Sequence, residues 1–268
     1  LGMGKDVITL EDAKTRFDYA SDIFDINLFK IREEESEKDI DYDLNNTKNT
    51  QICLFLVESI LLDALKQRGC NPDFVAGHSL GEITALYAAK VLSFENCVSL
   101  IKIRSELMSK APDGSMAAII GFDRETLESL LKDKDDVYIA NDNSASQVVL
   151  SGNKDKLDEI SQELNCKRFI PLNVSGAFHS RYMNEPSVKF SGYLDSVCFC
   201  EPFIPVISNA NPFFSKDSVQ LKQNLKKQMC NGVRWRETMD LMSTKDDLHI
   251  VEIGPSNVLG GLAKRHLK

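Results

Sequence analysis

A sharp turn between a short apolar strand and a helix constrains this chain most. Residues 74–90 read FVAGHSLGEITALYAAK, so that an apolar run stops at GHSLG and resumes at helical spacing. The pattern Gly-x-Ser-x-Gly predicts a tight strand-to-helix turn, in which a Cβ on either Gly77 or Gly81 would collide with neighbouring backbone. Ser79 would then project at the helix N-terminus, where main-chain N–H groups and the helix dipole favour an oxyanion.

Ser79 is either a nucleophile or a structural turn residue, and the strand and helix around it favour the nucleophile. A serine at its ordinary pKa needs a general base, usually a histidine. His179 lies in a loop between a predicted strand ending near Val174 and a predicted helix, at the same edge of the sheet. It is the favoured base, with a structural histidine as the alternative. His78 is expected to point away from the serine as a packed neighbour.

Arg104 interrupts an apolar stripe on the helix that follows the turn. Cys97, Ile101, Arg104 and Met108 are spaced by four, three and four residues, which places them on one helical face. A guanidinium turned inward needs a partner. A structural salt bridge is one possibility. Because the helix should pack directly behind the turn, a substrate carboxylate held by a two-pronged contact is the favoured interpretation.

The order of predicted elements indicates an α/β protein. Strand, tight turn and buried helix favour a hydrolase-like parallel-sheet core with helices on both faces. Residues 115–174 follow the order βαββαβ, which predicts an inserted ferredoxin-like small domain. We therefore expect a large catalytic domain from residues 1–114 and 175–268, with the small domain at 115–174. The segment LHIVEI, residues 248–253, is predicted to add a late strand to the large domain.

The composition of the chain limits the kinds of partner that this protein can bind. A net charge of −8 at pH 7 argues against nucleic acid. No apolar run reaches the length of a membrane span, so we expect a soluble protein that does not enter membranes. The seven cysteines show no zinc spacing, and no metal site is predicted. Several basic residues occur late in the chain, and they form either a solvated surface or a dock for an acidic partner: Lys222, Lys226, Lys227, Arg234, Arg236, Lys264 and Arg265.

Seven motifs together resemble malonyl-CoA:acyl carrier protein transacylases of type II fatty acid synthesis and the acyltransferase domains of polyketide synthases. The resemblance runs through essentially the whole chain, in the order and spacing of the family. The motifs are GHSLGE at 77–82, IRSELM at 103–108, GSMAAIIG at 114–121, NDNSASQVVLSG at 141–152, VSGAFHSRYM at 174–183, CNGVRW at 230–235 and EIGPSNVLGGLAKR at 252–265.

The resemblance implies roles at the site. Ser79 would be acylated, His179 would be its base, and Arg104 would pair with the free malonyl carboxylate. The Leu80 main-chain N–H would supply half of the oxyanion hole, and the Gln228 main-chain carbonyl would orient the histidine.

Three further residues take roles from the same resemblance. Asn141 and Asn143 correspond to polar residues lining the cleft. Phe178, in Ala-Phe-His before the base, would fill the space that a branched acyl group needs. The family also has a preceding strand and a GQGSQ-type loop that completes the oxyanion hole, and we expect both to precede Leu1.

The implied reaction transfers malonyl from malonyl-CoA to the phosphopantetheine thiol of an acyl carrier protein. No permanently bound cofactor is implied, and the family expectation is a monomer. The alternatives are a serine esterase or thioesterase of the α/β-hydrolase class and a non-catalytic carrier-binding module. Lysine outnumbers arginine and asparagine is common. Together with the resemblance to a stand-alone type II enzyme, these features favour a plastid-like organelle, an apicoplast, with bacterial cytoplasm as the alternative.

Overall fold

The fold combines helices with two separate β-sheets in a mixed α/β arrangement. The computed structural model describes residues 7–10, 12–30, 46–174 and 176–267. The helices are α1 (Ala13–Phe24), α2 (Thr47–Gln67), α3 (Gly81–Ala88), α4 (Phe94–Ser109), α5 (Arg124–Asp133), α6 (Lys154–Glu163), α7 (Asn184–Ser196), α8 (Ser218–Gln228), α9 (Trp235–Met242) and α10 (Val258–His266). The strands are β1 (Val75–Ala76), β2 (Ser115–Phe122), β3 (Val137–Ser144), β4 (Gln147–Gly152), β5 (Cys166–Pro171) and β6 (Val206–Ile207).

Helices α2, α3 and α4 form the framework around the predicted turn. Apolar residues cover most of the surface of α2, and it is accordingly buried along much of its length. It packs against both α3 and α4. Helix α4 begins where predicted, because the Ser93 hydroxyl accepts a hydrogen bond from the Asn96 N–H at 3.2 Å. The face of α4 that carries Arg104 is therefore turned into the interior.

The parallel sheet is small in the described residues. Strand β1 pairs with β6 in parallel, with Val75 opposite Val206 and Ala76 opposite Ile207. The late strand predicted at 248–253 is wrong, because these residues adopt no regular structure. Apolar residues of a buried strand would be covered, yet Val251 is 63% exposed, and no described strand pairs with this segment. Strands β1 and β6 are therefore the part of the expected parallel sheet that the described residues form.

Residues 115–171 form the second sheet, which is antiparallel. The elements follow the predicted order β2-α5-β3-β4-α6-β5, and the strands lie in the order β3-β4-β2-β5. Alternating apolar residues of the strands and the inner faces of α5 and α6 make a hydrophobic cluster of their own, which includes Ile119, Leu127, Leu150 and Ile160. This sheet therefore has a core distinct from the one around α2 and α4.

The segment before α9 attaches the antiparallel sheet to the rest of the chain. Its Val233 N–H donates to the Ala140 carbonyl at 2.8 Å, and the Asp142 N–H donates to the Val233 carbonyl at 2.9 Å. The Asp142 carboxylate also pairs with Arg236 of α9 at 3.0 Å. A Cβ on Gly232 would lie 2.4 Å from the Ile139 carbonyl oxygen, so only glycine permits this approach. Strand β3 is thereby held beside the loop that follows α8.

Within the described ranges, none of the helices has the length and apolar character needed to cross a membrane.

Candidate active site

Ser79 lies on a strained turn between β1 and α3. Its φ angle is +52°, in the left-handed region that few non-glycine residues adopt, at a cost of about 1–3 kcal/mol. A Cβ on Gly77 would lie 1.9 Å from the Gly81 carbonyl oxygen, so the predicted collision holds there. The same expectation for Gly81 is wrong, because a Cβ on that residue would meet no atom within 4 Å. Space therefore requires glycine on only one side of the turn.

His179 faces the serine hydroxyl. Its Nε2 lies 2.8 Å from the Ser79 Oγ. Its Nδ1 lies 3.0 Å from the Gln228 main-chain carbonyl oxygen and 3.2 Å from that of Asn231. A carbonyl oxygen only accepts, so the proton must be on Nδ1, and the Nε2 lone pair is directed at the hydroxyl. Two main-chain carbonyls thus orient the imidazole, where a hydrolase triad would use a carboxylate.

The other histidines are placed differently. His78 packs against Trp235, with ring centroids 5.4 Å apart, and its Nε2 lies 2.9 Å from the Asn143 Oδ1. His249 is exposed, and His266 pairs with Asp240 at 2.8 Å. Among the histidines, His179 is therefore the one that the structure brings to Ser79.

Burial keeps the His179 imidazole neutral. Its side chain is almost completely enclosed, and this desolvation, followed by the positive charge of Arg104, lowers its pKa to about 3. The pKa of His78 is also lowered by burial. A neutral imidazole is the form that can accept a proton from serine.

Arg104 approaches the same hydroxyl from α4. Its Nη2 donates to the Ser79 Oγ at 3.1 Å and to the Gln228 Oε1 at 3.0 Å. Its Nη1 donates to the Gln51 Oε1 of α2 at 2.5 Å. Burial lowers the pKa of Arg104 to about 10, which the charge of Glu82 partly opposes, so the guanidinium stays charged at neutral pH. Neutral amides orient this cation without cancelling its charge.

The Gln228 side chain connects the arginine to a buried carboxylate. Its Nε2 donates to the Glu82 Oε2 at 2.8 Å and to the Ser79 main-chain carbonyl at 2.9 Å. Glu82 is 1% exposed, and burial raises its pKa. No ion pair joins Glu82 to Arg104 in the described part of the chain. The Gln228 amide therefore stands between the Glu82 carboxyl group and the Arg104 guanidinium.

The main-chain N–H groups of Ser79 and Leu80 differ in whether they are free to donate a hydrogen bond. The Ser79 N–H donates to the Asn209 Oδ1 at 2.7 Å. The Leu80 N–H has no hydrogen-bond acceptor among the residues that the structure describes. It lies at the N-terminal end of α3, which begins at Gly81. Leu80 thus has a donor free for an anionic oxygen, whereas Ser79 does not.

The three remaining predicted residues differ in how the structure connects them to Ser79. Asn143 is buried and reaches it through its contact with His78. The Asn141 Oδ1 is buried without a partner in the described residues. Phe178 is 8% exposed, and a Cβ on Gly176 would lie 2.9 Å from its ring. No described contact joins these three residues to Ser79 directly.

Sequence reasoning missed three polar residues that complete the site. Gln51 lies on an otherwise apolar helix, and Asn209 follows strand β6 at the edge where β1 ends. Glu82 belongs to the motif GHSLGE but received no role. Two sequence signals could have identified site residues. One is a polar residue within a buried helix, and the other is a polar residue that follows a buried strand at the edge of the sheet where the site lies. No group of three or more potential metal ligands occurs in the described residues.

Comparison with known proteins agrees with this geometry. The acyl transferase domain family matches residues 2–266. A malonyl CoA-acyl carrier protein transacylase of Synechocystis is 42% identical over 266 residues, which cover 99% of this chain and 89% of the relative.

Solved structures show the same relationship. The crystal structure of the Synechocystis malonyl-CoA:ACP transacylase superposes with a TM-score of 0.92 at 40% identity, covering 99% of this chain and 89% of that one. A malonyl-transacylase in complex with a type II polyketide synthase acyl-carrier protein gives a TM-score of 0.91 at 31% identity, covering 100% and 89%. The chain therefore belongs to the acyl transferase domain family.

Proposed function

We propose that this protein transfers the malonyl group from malonyl-CoA to the phosphopantetheine thiol of an acyl carrier protein, in fatty acid or polyketide synthesis. The observation that carries the proposal is the convergence on the Ser79 Oγ, with the His179 Nε2 at 2.8 Å and the Arg104 Nη2 at 3.1 Å. A nucleophile, a base and a cation for an acyl carboxylate are thus adjacent. The relatives named above carry the same activity in their names.

Acylation of the serine is the first half-reaction. The His179 Nε2 takes the hydroxyl proton while the Ser79 Oγ attacks the thioester carbonyl carbon. The Leu80 N–H donates to the tetrahedral oxyanion. The carbon–sulfur bond then breaks, and the coenzyme A sulfur leaves with the proton held by His179. The product is a malonyl ester of Ser79.

In the second half-reaction, the malonyl group passes to the carrier protein, and the Ser79 oxygen becomes the leaving group. His179 takes the proton of the phosphopantetheine thiol, and the sulfur attacks the ester carbonyl. The Ser79 oxygen leaves and recovers the proton from the imidazole. Because the Gln228 and Asn231 carbonyls hold the Nδ1 proton, the imidazole uses the same nitrogen in both halves. No bound cofactor takes part in either step.

Arg104 provides acyl selectivity in this proposal. A malonyl group brings a carboxylate that can pair with the guanidinium, whereas an acetyl group leaves the buried charge without a counter-ion. Malonyl binding would also cancel part of the charge that lowers the pKa of His179. The substrate carboxylate would then strengthen the base that acts on Ser79. Phe178 would limit the room for branched acyl groups, and Asn141 and Asn143 would line the cleft.

We propose that the site lies between two units of the chain. We infer that residues 115–174 form a ferredoxin-like domain inserted between residues 1–114 and 175–268, whose core is hydrolase-like. The strand order β3-β4-β2-β5 and the separate hydrophobic cluster support this inference. His179 directly follows the small unit in sequence, and Asn143 comes from its edge strand. The cleft would therefore lie where the two units meet.

We propose that the carrier protein docks on basic residues near the end of the chain. Four of the seven are engaged within the molecule: Lys222 with the Val197 carbonyl, Lys226 with Asp195, Arg234 with Glu237 and Arg236 with Asp142. Lys227, Lys264 and Arg265 are exposed and remain candidates for contact with acidic side chains. A monomer is proposed. The plastid-like organelle rests on composition and on the resemblance to a stand-alone type II enzyme, and the bacterial source of the named Synechocystis relative adds no support for it.

Mass spectrometry of the intact protein tests the reaction. Incubation with malonyl-CoA should give a malonyl adduct on the wild type and none on Ser79→Ala, and phosphopantetheinylated carrier protein should remove the adduct as malonyl-carrier forms. Ser151→Ala, which alters a buried serine of β4, is the matched control and should retain the adduct. Hydrolysis of malonyl-CoA without transfer would favour an esterase, and absence of any adduct would favour a non-catalytic module.

A further inference from the structure

We propose that Asn209 is a positioning residue whose carboxamide holds Ser79 in the strained conformation that directs its hydroxyl at His179. This proposal rests on the function proposed above, because it concerns the rate at which Ser79 is acylated. Asn209 follows strand β6 and is 1% exposed.

The Asn209 carboxamide bridges both sides of the turn. Its Oδ1 accepts from the Ser79 N–H at 2.7 Å, and its Nδ2 donates to the Gly77 carbonyl oxygen at 2.6 Å. The two main-chain groups flank His78. An amide presents one acceptor and two donors in a fixed plane, so a single side chain satisfies both groups at once. Hydrophobic residues and hydroxyls of similar size cannot make this pair of contacts.

Asn209 is itself held by main-chain contacts. Its N–H donates to the Glu82 Oε2 at 3.2 Å, and its carbonyl accepts from the Arg234 N–H at 3.1 Å. Strand β6, which precedes it, is the parallel partner of β1, which precedes the turn. The main chain that carries the carboxamide is therefore held in place beside the Gly77–Ser79 segment.

The left-handed φ of Ser79 makes such a restraint necessary. Without it, the peptide groups on either side of Ser79 could rotate toward a more favourable conformation. Rotation would turn the hydroxyl away from His179 and would move the Leu80 N–H away from the developing oxyanion. Asn209 does not touch substrate in this account. It acts through the conformation of Ser79.

The test measures acylation of Ser79 by malonyl-CoA in rapid-quench mass spectrometry, per folded molecule. Asn209→Ala removes both side-chain contacts, and we expect the acylation rate to fall about 10²-fold, the scale of an ångström-sized misplacement of a reacting group. The KM for malonyl-CoA should change little, because Asn209 and Arg104 share no hydrogen bond. A purely structural asparagine would lower the melting temperature and leave the rate per folded molecule unchanged.

Asn209→Asp adds a pH readout that a structural role would not give. The introduced carboxylate can accept from the Ser79 N–H, but it can donate to the Gly77 carbonyl only when protonated. Two ionisable residues contact Asn209 in the described structure: Glu82 accepts from its N–H through Oε2, and Arg234 donates to its carbonyl through the main-chain N–H. The wild type contains both. The acylation rate of Asn209→Asp relative to the wild type should therefore rise as the pH falls. A constant ratio would contradict the proposal.

A small-domain core variant serves as the stability control. Leu157→Ala, in α6, should lower the melting temperature without changing the acylation rate per folded molecule. If the wild type forms no acyl adduct, the proposed function fails. If the wild type forms it and Asn209→Ala forms it equally fast, only the positioning role fails. Should Asn209→Ala not fold, the pH dependence of Asn209→Asp decides.

Discussion

The Arg104 Nη2 lies 3.1 Å from the Ser79 Oγ, although one residue comes from a buried helix and the other from the turn after β1. Among the described residues, the guanidinium donates to three acceptors, a hydroxyl and two side-chain amides. A carboxylate arriving with the substrate would find this cation charged and oriented. The arrangement thus pairs the nucleophile with a selectivity group before substrate binds.

Arg104→Ala should lower malonyl transfer far more than acetyl transfer. Loss of a buried ionic partner costs about 3–5 kcal/mol, which corresponds to a loss of at least about 10²-fold in kcat/KM for malonyl-CoA. Arg104→Lys should recover little, because a lysine cannot reach the Gln51 and Gln228 amides and the carboxylate together. Steady-state assays with malonyl-CoA and acetyl-CoA measure the ratio. An equal loss for both substrates would refute the assignment.

Gln228→Glu should raise the KM for malonyl-CoA. One oxygen of the introduced carboxyl group would accept from Arg104, and the other would share a proton with the Glu82 Oε2, to which the amide now donates at 2.8 Å. The negative charge beside the guanidinium would compete with the malonyl carboxylate, an effect of about 10-fold or more. The main-chain carbonyl that orients His179 is unchanged by the substitution. Gln228→Met is the uncharged control of similar length. If both variants raise the KM equally, competition for the guanidinium is not the cause.

The pKa of His179 predicts a slope in stability with pH. The imidazole titrates near 6.5 in the unfolded chain and at about 3 in the fold. Between these values the unfolded state binds a proton that the folded state does not, so the free energy of unfolding falls as pH decreases from about 6.5. The contribution is at most about 1.4 kcal/mol per pH unit. Urea unfolding of His179→Gln should show a shallower slope. Ser151→Ala removes no group that titrates in this pH range, so it is the control and should keep the wild-type slope.

Substrate binding should shift the pH profile of catalysis. Malonyl carboxylate at Arg104 cancels part of the charge that lowers the pKa of His179, so this pKa should be higher in the complex than in the free protein. The acid limb of kcat should accordingly lie at higher pH than that of kcat/KM. Identical acid limbs would show that the two charges do not interact. The profiles of the wild type and Arg104→Ala measure this difference.

Alanine at the two glycines of the turn should have opposite consequences. Gly77→Ala places a Cβ 1.9 Å from the Gly81 carbonyl oxygen, so the turn cannot form as observed, and we expect loss of the Ser79 adduct. Gly81→Ala meets no atom within 4 Å and should leave activity intact, with stability unchanged or raised by up to about 1 kcal/mol. Adduct formation and thermal unfolding of both variants provide the measurement. Comparable damage at Gly81 would contradict the steric argument.

Local pattern was sufficient for much of the fold. The apolar periods of α2 and α4, the Ser93 cap and the βαββαβ order of residues 115–171 all agree with prediction, because each depends on neighbours within a few turns or strands. The strand predicted at 248–253 failed for the opposite reason. A strand requires a hydrogen-bonded neighbour, and alternation of apolar residues does not guarantee that one is present.

The sequence by itself determined the turn at Ser79, the histidine and arginine candidates, and the family resemblance. Only the tertiary structure decided that Gln51 and Gln228 hold Arg104, that Glu82 lies behind Gln228, and that Asn209 spans the turn. These contacts join residues 53 to 146 positions apart. Side-chain hydrogen bonds form only when the donor and acceptor lie within a few tenths of an ångström of the preferred distance and are correctly aligned. This geometry exists only after the helices and sheets have packed.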